Sequence, residues 1–260
     1  MDNYELREER SYTVVKANEI IQKARFDLTL SELKILTYIF SKIKPTDTEF
    51  CQYEFTTNDY CQVLGIDTNN GKNIRDIKKT LKALRDKSFW LTKEDGAEVT
   101  IGWVYKVELN AGSGRIKVTL DNDLQKYLCG LFENFTQYSL LSVLPMNSGY
   151  SVRIYELLKS YAFTGGHKFN IDDLKRKLGA EHYSNFKDFR RKVIEVAVKE
   201  INLYTDIEVS WEPVKAGKKV SEIVFHIKSR DAWGLVKASG RAKRQLDGQL
   251  SMFSDGSGTN

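Results

Sequence analysis

The sequence predicts an α+β fold in which one helix-rich domain occurs twice in tandem and is followed by a disordered C-terminal tail. A short strand, a helix ended by glycine and a long basic helix follow one another at two places in the chain. Two strands joined by a glycine-containing turn come after each of them. A repeat that is longer than a solenoid unit and present only twice indicates a duplicated domain. With 260 residues, 41% of them hydrophobic, the chain can form two cores.

The segment before the first copy predicts a strand and two helices after a charged start. The strand ends near Val14, and Asn18 can cap the short helix that follows it. Thr29 or Ser31 can cap the longer helix, whose apolar residues recur at helical spacing until Pro45 ends it.

The first copy predicts a helical pair followed by three strands. A strand over residues 50–55 leads into a helix over residues 58–64, which Gly65 stops, and a second helix covers residues 73–87. The following strands are predicted over residues 89–92, 99–109 and 115–120, and a helix from residue 121 to about residue 132 closes the unit.

The second copy repeats this order. An opening helix over residues 152–163 precedes a strand over residues 168–170 and a helix over residues 171–178, which Gly179 stops. A long helix is predicted from Ser184, and strands over residues 206–213 and 220–228 follow it.

The two β-hairpins indicate winged-helix domains. Residues 111–114 and 215–219 are short, glycine-containing turns of the kind that join hairpin strands. A helix-turn-helix pair followed by a hairpin is the order of the winged helix, in which the second helix of the pair reads DNA. We therefore predict an N-terminal winged-helix domain over residues 1–136 and a C-terminal winged-helix domain over residues 137–230. Residues 231–260, which are polar and rich in glycine and serine, predict a flexible tail.

The positive charge is concentrated in the long helix of each copy. The formal net charge is +5, which many unrelated proteins share. Residues 72–87, however, hold seven basic and two acidic side chains, and residues 186–199 hold five and two. This distribution favours nucleic acid as the partner, although a solvated basic face is the alternative for either helix alone.

Aligning the two long helices on their apolar positions predicts which side chains contact DNA. Ile74, Ile77, Leu81 and Leu84 share one face, as do Phe186, Phe189, Val193 and Val196, and we expect both faces to be buried. The opposite faces and the two wings carry cations that can bond guanine edges or phosphates. The predicted DNA-binding residues are Lys72, Arg75, Lys78, Lys79 and Arg115 in the first copy and Ser184, Lys187, Arg190, Arg191, Lys215, Lys218 and Lys219 in the second.

Catalytic, metal-binding and membrane functions find no support in the sequence. The stretch from Gly65 to Lys72 resembles a phosphate-binding loop but has the wrong spacing and Asn73 in place of Ser or Thr. The three histidines are isolated, so the metal pair of a DNA-nicking enzyme is missing, and the three cysteines are widely spaced. No apolar run approaches the roughly 18 residues that a membrane span needs. We expect a cytoplasmic protein that is not an enzyme and needs no cofactor or metal.

Four segments resemble the iteron-type plasmid replication initiators of the RepB/RepE kind. They cover residues 14–21, 135–138, 150–159 and 200–209, in the order that the family has. The resemblance implies two winged-helix domains that bind directly repeated origin sites, called iterons, as a monomer. It also implies a dimer, formed through the N-terminal domain, that represses the protein's own gene, and recruitment of host helicase and primase components. By the same resemblance, the C-terminal domain would do most of the sequence reading, through Lys187, Arg190 and Arg191. The N-terminal domain would add DNA backbone contacts, through Arg75, Lys78 and Lys79.

A pentapeptide near the C-terminus resembles the motif by which bacterial proteins bind the polymerase sliding clamp. It consists of Gln249, Leu250, Ser251, Met252 and Phe253, with Met252 in place of the commoner leucine. A disordered carrier suits a motif that folds on docking. A chance apolar cluster is the alternative.

The leading functional hypothesis is therefore a plasmid replication initiator that binds origin DNA without performing chemistry on it. A winged-helix transcription repressor without a replication role is the closest alternative. A nicking or nucleotide-hydrolysing initiator is a second alternative, from a different class of protein.

Overall fold

The computed structural model describes residues 3–44, 47–50, 52–68, 70–93, 95–110 and 112–254, and for residue 3 and residues 249–254 it describes the backbone alone. The helices are α1 Asn3–Ser11, α2 Asn18–Lys23, α3 Leu30–Phe40, α4 Thr57–Leu64, α5 Gly71–Asp86, α6 Gln125–Leu128, α7 Gly149–Ser160, α8 Ile171–Leu178, α9 Phe186–Phe189, α10 Glu195–Tyr204 and α11 Ala232–Ser254. The strands are β1 Thr13–Ala17, β2 Tyr53–Thr56, β3 Ser88–Thr92, β4 Glu98–Gly102, β5 Val104–Leu109, β6 Arg115–Leu120, β7 Phe135–Ser139, β8 Gly166–Asn170, β9 Ile207–Ala216 and β10 Lys219–Ser229.

The first domain is a winged helix built from α3, α4, α5 and a three-stranded antiparallel sheet of order β2-β6-β5. Capping boxes begin α3 at Thr29 and α4 at Thr56. Each threonine hydroxyl accepts the backbone N–H of the acidic residue three positions later, and the carboxylate of that residue accepts the backbone N–H of the threonine. Gly65 ends α4 with a φ of 70°, a left-handed conformation that favours glycine. The β5–β6 hairpin is the wing.

The second domain repeats this plan, with α7, α8, the recognition helix and a sheet of order β8-β10-β9. Asn170 caps α8, and Gly179 ends it with a φ of 63°. The recognition helix is α9, a single π-helical turn over residues 190–194, and α10. The two winged-helix domains predicted from the repeat are confirmed.

Two predictions in the first domain were wrong in detail. The strand predicted over residues 99–109 is two strands, β4 pairing with β3 and β5 with β6. The break falls at Trp103, whose side chain is buried and stacks on Phe89 with a ring-centroid distance of 4.2 Å. The helix expected to reach about residue 132 ends at Leu128, and Gly130 follows with a positive φ.

A buried ionic cluster joins the two domains. β1 pairs with β7, and α7 lies behind this pair. The Lys16 ammonium of β1 lies 2.5 Å from the Glu156 carboxylate of α7, which also accepts from Arg153 and from the Tyr138 hydroxyl. Burial alone would raise the pKa of Glu156, but the charges of Lys16 and Arg153 outweigh it and hold this pKa below its ordinary value. The Lys177 ammonium of α8 donates a hydrogen bond to the Gln22 carbonyl of α2, which is a further contact between the domains.

The C-terminal segment is a helix, so the prediction of a flexible tail from residue 231 was wrong for most of this segment. Ala238, Ala242 and Leu246 recur every four residues along α11 and are buried. This stripe packs on α10 and reaches α4 of the first domain, where the Leu246 carbonyl lies against Gly65. The small side chains permit this close approach, which composition alone concealed because glycine and serine also mark disorder. Residues 255–260 lie outside the described residues.

Arg10 of α1 anchors the end of α11 to the first domain. Its guanidinium donates to the carbonyls of Gln62 and Val63, at 3.0 Å each, and pairs with Asp247 at 2.8 Å. The carbonyls belong to the last turn of α4, where cations interact favourably with the helix dipole. The charged start of the chain is therefore an ordered helix that connects α4 with α11.

Candidate nucleic-acid interface

Helix α5 is held against the first domain by a narrow apolar stripe. Ile77, Leu81 and Leu84 are buried against α3 and β5, and Asn70 caps the helix by accepting the Lys72 backbone N–H. Ile74, expected in the same stripe, is 38% exposed because the first turn extends beyond the core. The N-terminal half of α5 therefore projects from the domain, as a helix must to enter a DNA groove.

The outward face of this projecting half carries three exposed cations: Lys72, Arg75 and Lys79. None of them forms an ion pair with another of the described residues, although Asp76 lies in the same turn. Unpaired, solvated cations on one helix face can exchange counterions for phosphates. All three side chains are exposed, as expected from the sequence, and their contact with DNA stays a prediction.

Lys78, also predicted to contact DNA, is exposed and borders a groove beside α5. It lines a groove of about 600 Å³ between α5 and β5, together with Lys82 and Arg85 from α5 and Tyr105 from β5. Alignment of the two long helices did not select Lys82 and Arg85, because Ile194 and Ala197 occupy the aligned positions of the second copy. The seven-basic-residue count of α5 was the signal that could have found Lys82 and Arg85.

The second recognition helix begins two residues later than expected. Asn185 is the N-cap and accepts the Asp188 backbone N–H, so Ser184 precedes the helix as an exposed residue. Phe189 and Val193 are fully buried, as predicted, whereas Phe186 and Val196 are only partly buried.

The exposed face of this helix carries the three predicted cations. Lys187 has no ion pair with another described residue, Arg190 lies 3.3 Å from Glu195, and Arg191 lies 3.6 Å from Asp188. Both pairs are exposed, and pairs of this kind contribute at most about 1 kcal/mol. A phosphate or a guanine edge can therefore displace either carboxylate.

The π-helical turn coincides with these arginines. It begins at Arg190 and includes Arg191, and it turns both Val193 and Ile194 into the core. A π-turn inserts one extra residue, so the buried stripe resumes at Ala197 and Ile201 in place of Val196. Helical periodicity assumes 3.6 residues per turn and cannot signal such an insertion.

The two wings differ in free charge. Arg115 at the first wing lies 3.0 Å from Glu54 of the neighbouring strand, which also pairs with Lys117. Lys215, Lys218 and Lys219 at the second wing are all exposed, and none of them pairs with an acid among the residues the structure describes. The second wing is therefore the stronger candidate for phosphate contacts.

The remaining expectations concern the C-terminal pentapeptide, a membrane span and a metal site. The side chains of the pentapeptide from Gln249 to Phe253 lie outside the described residues, although its backbone continues α11. No helix in the described residues is long and apolar enough to cross a membrane. Within the same residues, no group of three or more His, Cys, Asp or Glu could hold a metal ion.

The chain is similar to known proteins over most of its length. Residues 13–159 match the family model "Initiator Replication protein, WH1", and residues 170–227 match "Initiator Rep protein, WH2". A replication initiation protein of Escherichia coli is 27% identical over 226 residues, which cover 82% of this chain and 69% of the relative. An uncharacterized 27.6 kDa protein of Escherichia coli is 22% identical, over 81% of this chain and 93% of the relative.

A solved structure shares the fold. The Pi initiator protein, crystallised in complex with iteron DNA, superimposes with a TM-score of 0.71 at 18% identity, covering 85% of this chain and 99% of that one. The two winged-helix domains, their order and the matched residues lead to one conclusion. The chain belongs to the replication initiator (Rep) protein family and carries both its WH1 and its WH2 domain.

Proposed function

We propose that this protein initiates plasmid replication by binding directly repeated origin sites, with both winged-helix domains of one chain on one site. The observation that carries the proposal is the pair of exposed basic recognition helices, one in each domain of a Rep-family chain. The crystallised Pi initiator, which shares the fold, was solved on iteron DNA, and this supports the same class of target here.

The two domains would contribute unequally to binding. Lys72, Arg75 and Lys79 form a row of unpaired cations on α5, which suits contacts to phosphates. Arg190 and Arg191 start the π-turn of the second recognition helix, and arginine is the residue that bonds guanine in two places. The second domain would therefore read the sequence, and the first would add affinity and orientation.

Binding to labelled duplexes tests this proposal. A fragment carrying the direct repeats should bind more tightly than random duplex of equal length, with an affinity that falls steeply with salt. Nuclease footprinting should show protection at evenly spaced repeats for a monomer and at an inverted repeat for a dimer. Equal affinity for the two duplexes would refute the proposal.

The proposed function also includes self-association of the protein and recruitment of host replication proteins. A dimer formed through the N-terminal domain would repress the protein's own promoter, while the monomer would open the origin and recruit cytoplasmic helicase and primase components. No step requires chemistry by this chain. A transcription repressor without a replication role is the alternative, and one experiment separates the two. A plasmid carrying only the origin should be maintained in a host only when this protein is supplied.

The C-terminal pentapeptide would bind the polymerase sliding clamp. It directly follows the docked part of α11, so clamp binding would place the polymerase machinery next to both DNA-binding domains. Deleting Gln249 to Phe253 should abolish pull-down by the clamp and leave origin binding intact. Loss of both activities would show that the segment has a structural role instead.

A further inference from the structure

A small cavity lies where the two domains meet. It has a volume of about 220 Å³ and is lined by the segment between α2 and α3, by the start of α7 and by Leu178 of α8. Phe26, Leu30 and Leu178 are its apolar walls. Pockets for drug-sized ligands begin at roughly 300 Å³, so this cavity suits a smaller molecule.

One wall of the cavity offers hydrogen-bond donors at the N-terminus of α7, a helix of 12 residues. Its N-cap Ser148 forms no capping bond with its side chain. The backbone N–H groups of Gly149 and Tyr150 donate to no other described residue. First-turn N–H groups have no partner inside their own helix, and together with the helix dipole they attract an anion. This wall therefore lacks an acceptor.

A buried arginine adds positive charge to the same wall. Arg153 lines the cavity and is 5% exposed, and its Nε has no hydrogen-bond partner. Its Nη1 pairs with Glu156 at 2.9 Å and its Nη2 donates to the Ile21 carbonyl, so Nε is the donor that remains. Lys16 and Arg153 share the one carboxylate of Glu156, which leaves this buried cluster with one positive charge in excess. An oxyanion that accepts from Nε would satisfy a costly buried donor and balance that charge.

The opposite wall offers acceptors. Asp27 lines the cavity with an exposed side chain that forms no ion pair with another described residue. The Leu28 carbonyl accepts no hydrogen bond from the described residues, and its oxygen lies 3.8 Å from the position that a Cβ on Gly149 would have. The acceptors are therefore close to the donors of α7. Asp27 would repel a plain anion and Arg153 would repel a plain cation, whereas a ligand that carries both charges side by side suits both walls.

We infer that this cavity binds a free α-amino acid with an apolar side chain. Its carboxylate would accept from the first-turn N–H groups of α7 and from Arg153. Its ammonium would pair with Asp27, and its side chain would pack between Phe26 and Leu178. The bound molecule would join the segment before α3 to α7 and α8, and so stabilise the packing of the first domain on the second.

Isothermal titration calorimetry and thermal unfolding of the full-length protein with L-leucine test this site. L-Leucine should bind once per chain and raise the unfolding midpoint, as a ligand of the folded state does. Leucinamide lacks the carboxylate and N-acetyl-leucine lacks the ammonium. Each of them leaves one wall unpaired and should bind about tenfold more weakly than leucine.

Asp27→Asn provides the variant for the acceptor wall. The side chain is exposed, so the fold should be retained while the leucine affinity falls about tenfold and approaches that of N-acetyl-leucine. Asp123→Asn removes an equally charged, exposed side chain of the first domain that does not line the cavity, and it should bind leucine as the parent protein does. Urea unfolding of both variants checks that the fold is retained.

Four results would overturn the inference. The first is the absence of saturable binding at millimolar leucine. The second is equal affinity for leucine and N-acetyl-leucine, which would indicate a plain anion site, and the third is equal affinity for leucine and leucinamide, which would indicate a plain cation site. The fourth is an unchanged leucine affinity in Asp27→Asn, which would place the bound amino acid elsewhere on the protein.

Discussion

Substituting Gly65 by alanine should release the C-terminal helix from the first domain. Gly65 ends α4 with a φ of 70°, and a Cβ added there would lie 2.3 Å from the Leu246 carbonyl oxygen. The next two nearest atoms, at 3.0 and 3.2 Å, also belong to the Leu246 backbone. No side-chain rotation can relieve this clash, so α11 has to move as a unit.

The cost has two parts. A left-handed alanine costs about 1 kcal/mol relative to glycine. Displacing α11 exposes Leu246, which is fully buried, and loses about 1.5 to 3 kcal/mol. Loss of the ion pair between Arg10 and the exposed Asp247 adds little to this cost. The loss from displacing α11 cannot exceed the free energy with which α11 docks on the first domain, because the helix can detach from that domain completely. We therefore expect Gly65→Ala to lower the free energy of unfolding by about 2.5 to 4 kcal/mol.

The duplicated domain supplies a matched control. Gly179 ends α8 at the corresponding position of the second copy with a φ of 63°, and the nearest atom to an added Cβ is 3.8 Å away. Gly179→Ala should therefore cost only the left-handed strain, about 1 kcal/mol. The difference between the two variants measures the docking of α11.

Urea unfolding and amide hydrogen exchange provide the readouts. Gly65→Ala should lose protection along the α11 amides around Ala242 and Leu246 before global unfolding, and Gly179→Ala should not. Equal destabilisation by the two variants, with α11 protection unchanged, would refute this account of the helix.

Three further predictions concern the DNA site and the domain junction. Arg191→Ala should weaken binding to the repeat-containing duplex by about 1 to 3 kcal/mol and leave random duplex nearly unaffected; an unchanged footprint and affinity would make Arg191 a solvated surface residue. Lys218→Ala/Lys219→Ala should weaken binding to every duplex and reduce the slope of log affinity against log salt by about 0.9 for each lost phosphate contact; a slope equal to that of the parent protein would remove the wing from the interface. Glu156→Gln leaves the buried Lys16 and Arg153 charges uncompensated, so it should cost about 3 kcal/mol at neutral pH. Because the pKa of Glu156 lies below its ordinary value of 4.5, the stability it contributes is complete above that pH and is lost as the pH falls through the lower, folded-state value. The parent and the variant should therefore converge in acid denaturation, and a constant difference across that pH range would contradict the role of the cluster.

The helix-turn-helix units could be predicted because their signals are local. A threonine followed three residues later by an acid begins α4, an asparagine begins α8, and glycine ends each helix. The hydrogen bonds involved connect residues within one or two turns, so the sequence alone displays them. Helical periodicity is also a local property, and it predicted that most of the basic side chains on the two recognition helices are exposed.

The partners of those cations could not be predicted. Glu54 neutralises Arg115 because β2 and β6 pair in a register that only the folded sheet establishes. Lys78 borders a groove because β5 packs beside α5. The π-turn at Arg190 changes the helical phase without any residue type that marks it.

The sequence by itself determined the duplicated domain, the glycine ends of α4 and α8 and the basic character of both recognition helices, because capping bonds and periodicity act between residues close in the chain. The tertiary structure decided which cations remain unpaired, where the α5 groove lies and whether residues 232–254 form a docked helix. Those properties depend on contacts such as Leu246 with Gly65 and Asp247 with Arg10, which join distant parts of the chain. Only folding brings such residues together, and the small side chains that permit the contact carry no signal of it in the sequence.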